Sequence, residues 1–66
     1  MLMKFVVNRR YWTSDGSYEM TVVGRFERSG LVRCEIGFGL PANYKIRTDY
    51  SGREYITAKG RDYFAS

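Results

Sequence analysis

A chain of 66 residues with a formal net charge of +4 holds one domain, and a chain of that size buries only about 60% of the surface it exposes when unfolded. With no histidine and one cysteine, it lacks the groups for a zinc site, an internal disulfide, a Ser-His or Cys-His pair, or an ordinary general base near neutral pH. The composition points away from an enzyme and from any bound metal or cofactor, and toward a binding module whose lone thiol suits a reducing cytoplasm.

The N-terminal run Met1–Val7 is apolar, but Lys4 breaks it and Asn8-Arg9-Arg10 follows, so it is too short for a signal segment or a membrane span. Residues 1–56 are rich in Val, Ile, Tyr, Phe and Thr with period-two alternation, and no window holds apolar residues at helical spacing. The first strand is expected at 2–12. Asp15-Gly16 then reads as a two-residue type I′ turn, which sets Tyr11 opposite Met20, Phe5 opposite Phe26 and Lys4 opposite Glu27.

A second strand at 18–28 and a third at 31–38 are expected to join through the loop Arg28-Ser29-Gly30, with Gly30 left-handed at its last position. That register pairs Phe26 with Val32, Val22 with Ile36 and Met20 with Phe38. Gly37-Phe38-Gly39 has no helix after it to complete a phosphate loop, and reads as a strand end. Pro41 cannot donate to a ladder, so Gly39-Leu40-Pro41-Ala42 is expected to be a corner and not a hairpin. Strands at 43–49 and 53–57 follow, joined through Tyr50-Ser51-Gly52, with Ile46 facing Ile56, Tyr44 facing Ala58, Arg47 beside Tyr55 and Asp49 beside Arg53. Thr57-Ala58-Lys59-Gly60 is expected to open a short helical turn with Thr57 as N-cap and Tyr63-Phe64 as a lid.

The expected fold is all-β: a five-stranded antiparallel meander curled into a small SH3-like or OB-like barrel, because a flat sheet of this length would leave its apolar face wet. The expected interior is Phe5, Val7, Tyr18, Met20, Val22, Phe26, Val32, Cys34, Ile36, Phe38, Tyr44, Ile46 and Ile56, with Cys34 a packing thiol. Two short segments resemble known families. Glu54-Tyr55-Ile56-Thr57-Ala58-Lys59-Gly60-Arg61 resembles the wing-to-helix ending of winged-helix regulators, whose fold needs two upstream helices that this chain lacks. Pro41-Ala42-Asn43-Tyr44-Lys45-Ile46 before a glycine-centred turn is similar to the closing hairpin of single-stranded DNA-binding proteins from filamentous phages; the rest of the chain does not align, and no residues are carried over.

Eight of the eleven cations are arginine, whose planar fork suits phosphates, carboxylates and rings. Asn8-Arg9-Arg10-Tyr11-Trp12 puts two guanidiniums and two rings together in an acid-free stretch, the combination that holds phosphates and stacks unpaired bases. On the expected register Arg10, Arg25, Arg33, Lys45, Arg47 and Tyr55 share the outer face, although Glu19, Glu27, Glu35 and Asp49 lie there too. The expected ligand is therefore single-stranded DNA or RNA, held by Arg9, Arg10, Trp12, Arg25, Arg33, Lys45, Arg47 and Tyr55. The alternative is a protein partner: a small regulator or inhibitor of the kind phages and mobile elements encode, acting on a host protein complex through the same arginines and rings. No membrane partner is expected, and an exposed barrel edge offers a route to a homodimer.

Overall fold

The computed structural model describes residues 3–66, which form seven short strands: β1 (Arg10–Thr13), β2 (Glu19–Phe26), β3 (Leu31–Ile36), β4 (Ala42–Lys45), β5 (Arg47–Thr48), β6 (Glu54–Ala58) and β7 (Arg61–Phe64). They make one antiparallel sheet in the order β4-β3-β2-β1-β7-β6-β5. The two ends of that order are consecutive in the chain, because one stretch swivels at Ile46 and gives its first half to β3 and its second to β6. Ile46 N–H donates to Gly30 O at 2.8 Å at the swivel, and the sheet curls into a nearly closed barrel. The barrel-like all-β class is present, with seven strands in place of five. No helix among the described residues is long and apolar enough to cross a membrane.

The β5–β6 hairpin has the register its sequence dictates. Arg47 pairs with Tyr55, and Asp49 N–H donates to Arg53 O at 3.0 Å. Gly52 closes the three-residue loop at φ 87°, where a side chain would be strained. Asp49 ties the loop together by accepting from Ser51 Oγ (2.6 Å) and from the amides of Ser51 and Arg53, and these bonds hold its carboxyl down at about 2.

At the β1–β2 hairpin the expected pairing of Tyr11 with Met20 forms, but the turn differs. Only Gly16 has positive φ, so Asp15 does not take the left-handed position that a type I′ turn needs. The chain turns through Thr13–Gly16 instead, with Gly16 N–H on Thr13 O and the Asp15 carboxylate accepting from Thr13 Oγ1 and Ser17 N. Both turns give the same register.

Between β2 and β3 the expected register is overturned. A bulge between Val22 and Gly24 makes Val23 an extra residue, so Val22 pairs with Cys34, Arg25 with Val32 and Phe26 with Leu31, while Met20 meets Ile36. Each one-residue slip exchanges the faces of a strand. Met20 and Val22 therefore point inward, yet beyond the bulge Arg25 takes the inward position and Phe26 turns out, 43% exposed. The connecting loop spans Glu27–Gly30, one residue longer than expected, with Gly30 N–H on Phe26 O and φ 67° at Gly30.

Three further expectations are corrected. The first strand, whose expected start at Leu2 lies outside the described residues, is limited to β1: Asn8 adopts φ 73°, the chain leaves the sheet, and the pairs Phe5–Phe26 and Lys4–Glu27 do not form. The corner at 39–42 is a hairpin, since β3 and β4 pair through Arg33–Asn43 and Cys34–Ala42. Its tip carries Phe38 and Leu40 out into solvent, 110% and 89% exposed, because Gly37 at φ 59° ends the strand early. The expected helical turn is the β6–β7 hairpin: Lys59 (φ 53°) and Gly60 (φ 75°) are both left-handed, the type I′ signature, and Thr57 Oγ1 caps nothing but donates across the strands to Asp62 Oδ1 at 2.6 Å.

The core is Phe5, Tyr11, Met20, Val22, Val32, Cys34, Ile56, Ala58, Tyr63 and Ala65, with Ile36, Tyr44 and Ile46 partly buried against it. Val7, Tyr18, Phe26 and Phe38, expected inside, are exposed. In their place Tyr63 of β7, Ala65 just after it and Ala58 at the end of β6 are buried in the core.

Candidate functional site

The registers of four strands place one residue from each in a straight row on the outer face. Trp12 of β1 pairs with Phe64 of β7, Phe64 with Tyr55 of β6, and Tyr55 with Arg47 of β5. Side chains at directly opposed positions stand close enough to interact, so the register sets three aromatic residues side by side across the sheet. The Tyr55 and Phe64 rings lie 5.6 Å apart, inclined by 34°, and Trp12 at the end of the row is 46% exposed.

Guanidiniums cover and flank the rings. Arg53 sits 4.3 Å above the Phe64 ring while reaching Asp49 Oδ2 at 3.2 Å, and Arg47 lies 5.5 Å from the centre of Tyr55. Arg10, two residues before Trp12 on the same face, is exposed and 3.9 Å from Glu19, itself the partner of Trp12 in β2. A cation over a ring face is attracted by the ring, and of Arg53 only Nε is taken up by Asp49, which leaves its terminal nitrogens to meet an anion.

Beside this row a cleft of about 390 Å³ opens between the β1–β2 turn and the start of β7, lined by Thr13, Ser14, Asp15, Tyr18, Arg61, Asp62 and Phe64. Within it the Arg61 guanidinium lies 3.8 Å from the centre of the Tyr18 ring.

Of the residues that the sequence singled out, Arg10, Trp12, Arg47 and Tyr55 are brought together here. Arg9 is exposed where the chain enters β1, and Arg33 and Lys45 are carried by β3 and β4, outside the four strands of the row. Arg25 is not on the outer face. Past the bulge it turns inward, its side chain 14% exposed, and Nη1 and Nη2 donate to Glu54 Oε1 and Oε2 at 2.7 and 2.8 Å. Arg25 also donates to Phe5 O at 3.1 Å and pairs with Glu27, so its donors are committed to the fold. Phe64, Arg53, Arg61 and Tyr18 were missed. The signal for Phe64 was present in its spacing: Arg61-Asp62-Tyr63-Phe64-Ala65 alternates like a strand, and a type I′ turn at Lys59-Gly60 would have registered Phe64 on Tyr55.

Burial pushes the Cys34 thiol up to about 12, and among the described residues no cluster of three or more His, Cys, Asp or Glu could hold a metal ion. Compared with family models, with curated proteins and with solved structures, the chain matches none.

Proposed function

We propose that this chain binds single-stranded DNA or RNA across the outer face of β1, β7, β6 and β5. The observation that carries the reading is the cross-strand row Trp12–Phe64–Tyr55 with Arg47 and Arg53 stacked along it. Strand spacing of about 4.8 Å sets rings at intervals that successive unstacked bases can follow, and every base has a face to stack. Arg10, Arg47 and Arg53 supply donors for the phosphates on either side, with Arg9 extending the basic end. Arg33 and Lys45 add positive potential at a distance and no direct contact.

Trp12 is the one tryptophan, so its emission reports the site without a label. Titration with an oligonucleotide is expected to quench it, with affinity falling as salt rises by about 0.7 in log-log slope for each phosphate neutralised. Trp12→Ala or Tyr55→Ala is expected to weaken binding of a labelled oligonucleotide about tenfold, within the ~1–3 kcal/mol of one stacked base. Absent binding at low salt, or affinity indifferent to salt, would sink the reading.

A second reading, a protein partner, is favoured by the fully exposed Phe38 and Leu40 at the β3–β4 tip. A pull-down with and without nuclease separates the two: a partner that survives nuclease and is lost with Phe38→Ser favours protein.

A further inference from the structure

Resting on the proposed nucleic-acid face, we infer that the cleft at its side is a base-selective subsite for guanine. Phe64 belongs both to the ring row and to the cleft wall, so a strand stacked along the row can drop one base into the cleft. Inside, the Arg61 guanidinium carbon lies over the Tyr18 ring, 3.8 Å from its centre, and forms no ion pair among the described residues, which leaves its donors for a ligand. Two carboxylates stand in the same wall. Asp62 accepts from Thr57 Oγ1 through Oδ1 and has no hydrogen-bond partner at Oδ2 among the described residues, while Asp15 is tied more fully, to Thr13 and to the amide and side chain of Ser17.

The chemistry of the two charges selects the ligand. Carboxylates repel a phosphate, so the cleft takes a base and not backbone. Guanine presents O6 and N7, two acceptors that an arginine fork matches, and N1–H with the N2 amino group, two adjacent donors that a carboxylate accepts. Thymine and uracil have a single N3–H donor on that edge, flanked by two carbonyls that a carboxylate repels. Adenine and cytosine offer an amino group flanked by an acceptor nitrogen. Only guanine satisfies a cation on one edge and a carboxylate on the other.

The test compares binding of a short oligothymidylate, the same oligomer with one central guanosine, and the same with inosine, which lacks the N2 amino group. The guanosine oligomer is expected to bind about tenfold tighter than the other two, and Asp62→Asn, which keeps the bond from Thr57, is expected to abolish the preference, so that the three oligomers bind this variant with equal affinity. Equal affinity for all three oligomers in the unaltered protein, or a preference that persists in both Asp62→Asn and Asp15→Asn, overturns the subsite and leaves the platform standing. Failure of every oligomer to bind overturns both.

Discussion

Arg25 grips Glu54 through two parallel hydrogen bonds, of 2.7 and 2.8 Å, at the end of the barrel where residues 3–8 cross it. Glu54 Oε1 also accepts from Phe5 N–H at 2.8 Å, Glu54 N–H donates to Met3 O, and Glu54 O accepts from Ala65 N–H. The Phe5 ring meets Tyr11 edge-on at 5.0 Å, and the Tyr11 hydroxyl in turn accepts from Val6 N–H. An inward arginine is thus neutralised by Glu54, the one buried acid among the described residues, and the pair anchors the N-terminal segment. Removing either partner leaves the other charge uncompensated in a mostly buried place. Arg25→Met is expected to lower stability by about 3 kcal/mol in urea unfolding. The double substitution Arg25→Met with Glu54→Leu should recover most of that, short by about 1 kcal/mol for the lost acceptor of Phe5 N–H. Additive losses in the double variant would contradict the pairing.

Acid should unfold the protein through the same residue. Hydrogen bonds from Arg25, helped by the Phe5 amide, hold the Glu54 carboxyl below its ordinary value. A depressed acid contributes stability that is full above its unfolded pKa, about 4.3 for Glu, and is lost as pH falls through the folded value. Asp49, held at about 2, has the same sign. The urea midpoint is expected to fall as pH drops below about 4, and Glu54→Gln should flatten that fall. An equally steep pH dependence in Glu54→Gln would remove Glu54 as its source.

The β6–β7 turn carries strain that a better turn residue would relieve. Lys59 is left-handed at φ 53°, whereas a type I′ turn favours Asn or Asp before Gly. Lys59→Asn is expected to raise stability by about 0.5–1 kcal/mol, read as a higher melting temperature with the barrel's circular dichroism unchanged. A lower melting temperature would speak against this turn geometry.

Cys34 is fully buried, and burial alone pushes its thiol up to about 12. At neutral pH it is protonated and shielded, so a disulfide reagent such as DTNB is expected to modify it only at the rate of unfolding. Modification of the native protein within mixing time would mean that β3 opens to solvent.

How far the sequence could be read varied with the turn chemistry. Tyr50-Ser51-Gly52 has alternating residues on both flanks and a glycine where φ must be positive, so the β5–β6 register, and with it Arg47 on Tyr55, followed directly. The β2–β3 register did not, because a bulge is marked only by Gly24 within an apolar strand. That glycine was the usable signal. The bulge exchanged Phe26 for Arg25 on the inside and took Arg25 out of the site. The third ring was hidden because Lys before Gly is a poor type I′ signature, and a capping threonine looked as good locally as a strand. Only pairing across the barrel decides between them, and half of the candidate site depends on that choice.

The swivel at Ile46 also bears on how the molecule behaves among its own kind. An open sheet presents two long borders of unmatched amides and carbonyls, each a template on which a neighbour's strand can grow. Here the borders are β4 and β5, printed by the fold as four and two residues of a single bent segment. Neither gives an incoming strand a straight run long enough to extend, so crowded solutions of this protein should resist fibril growth.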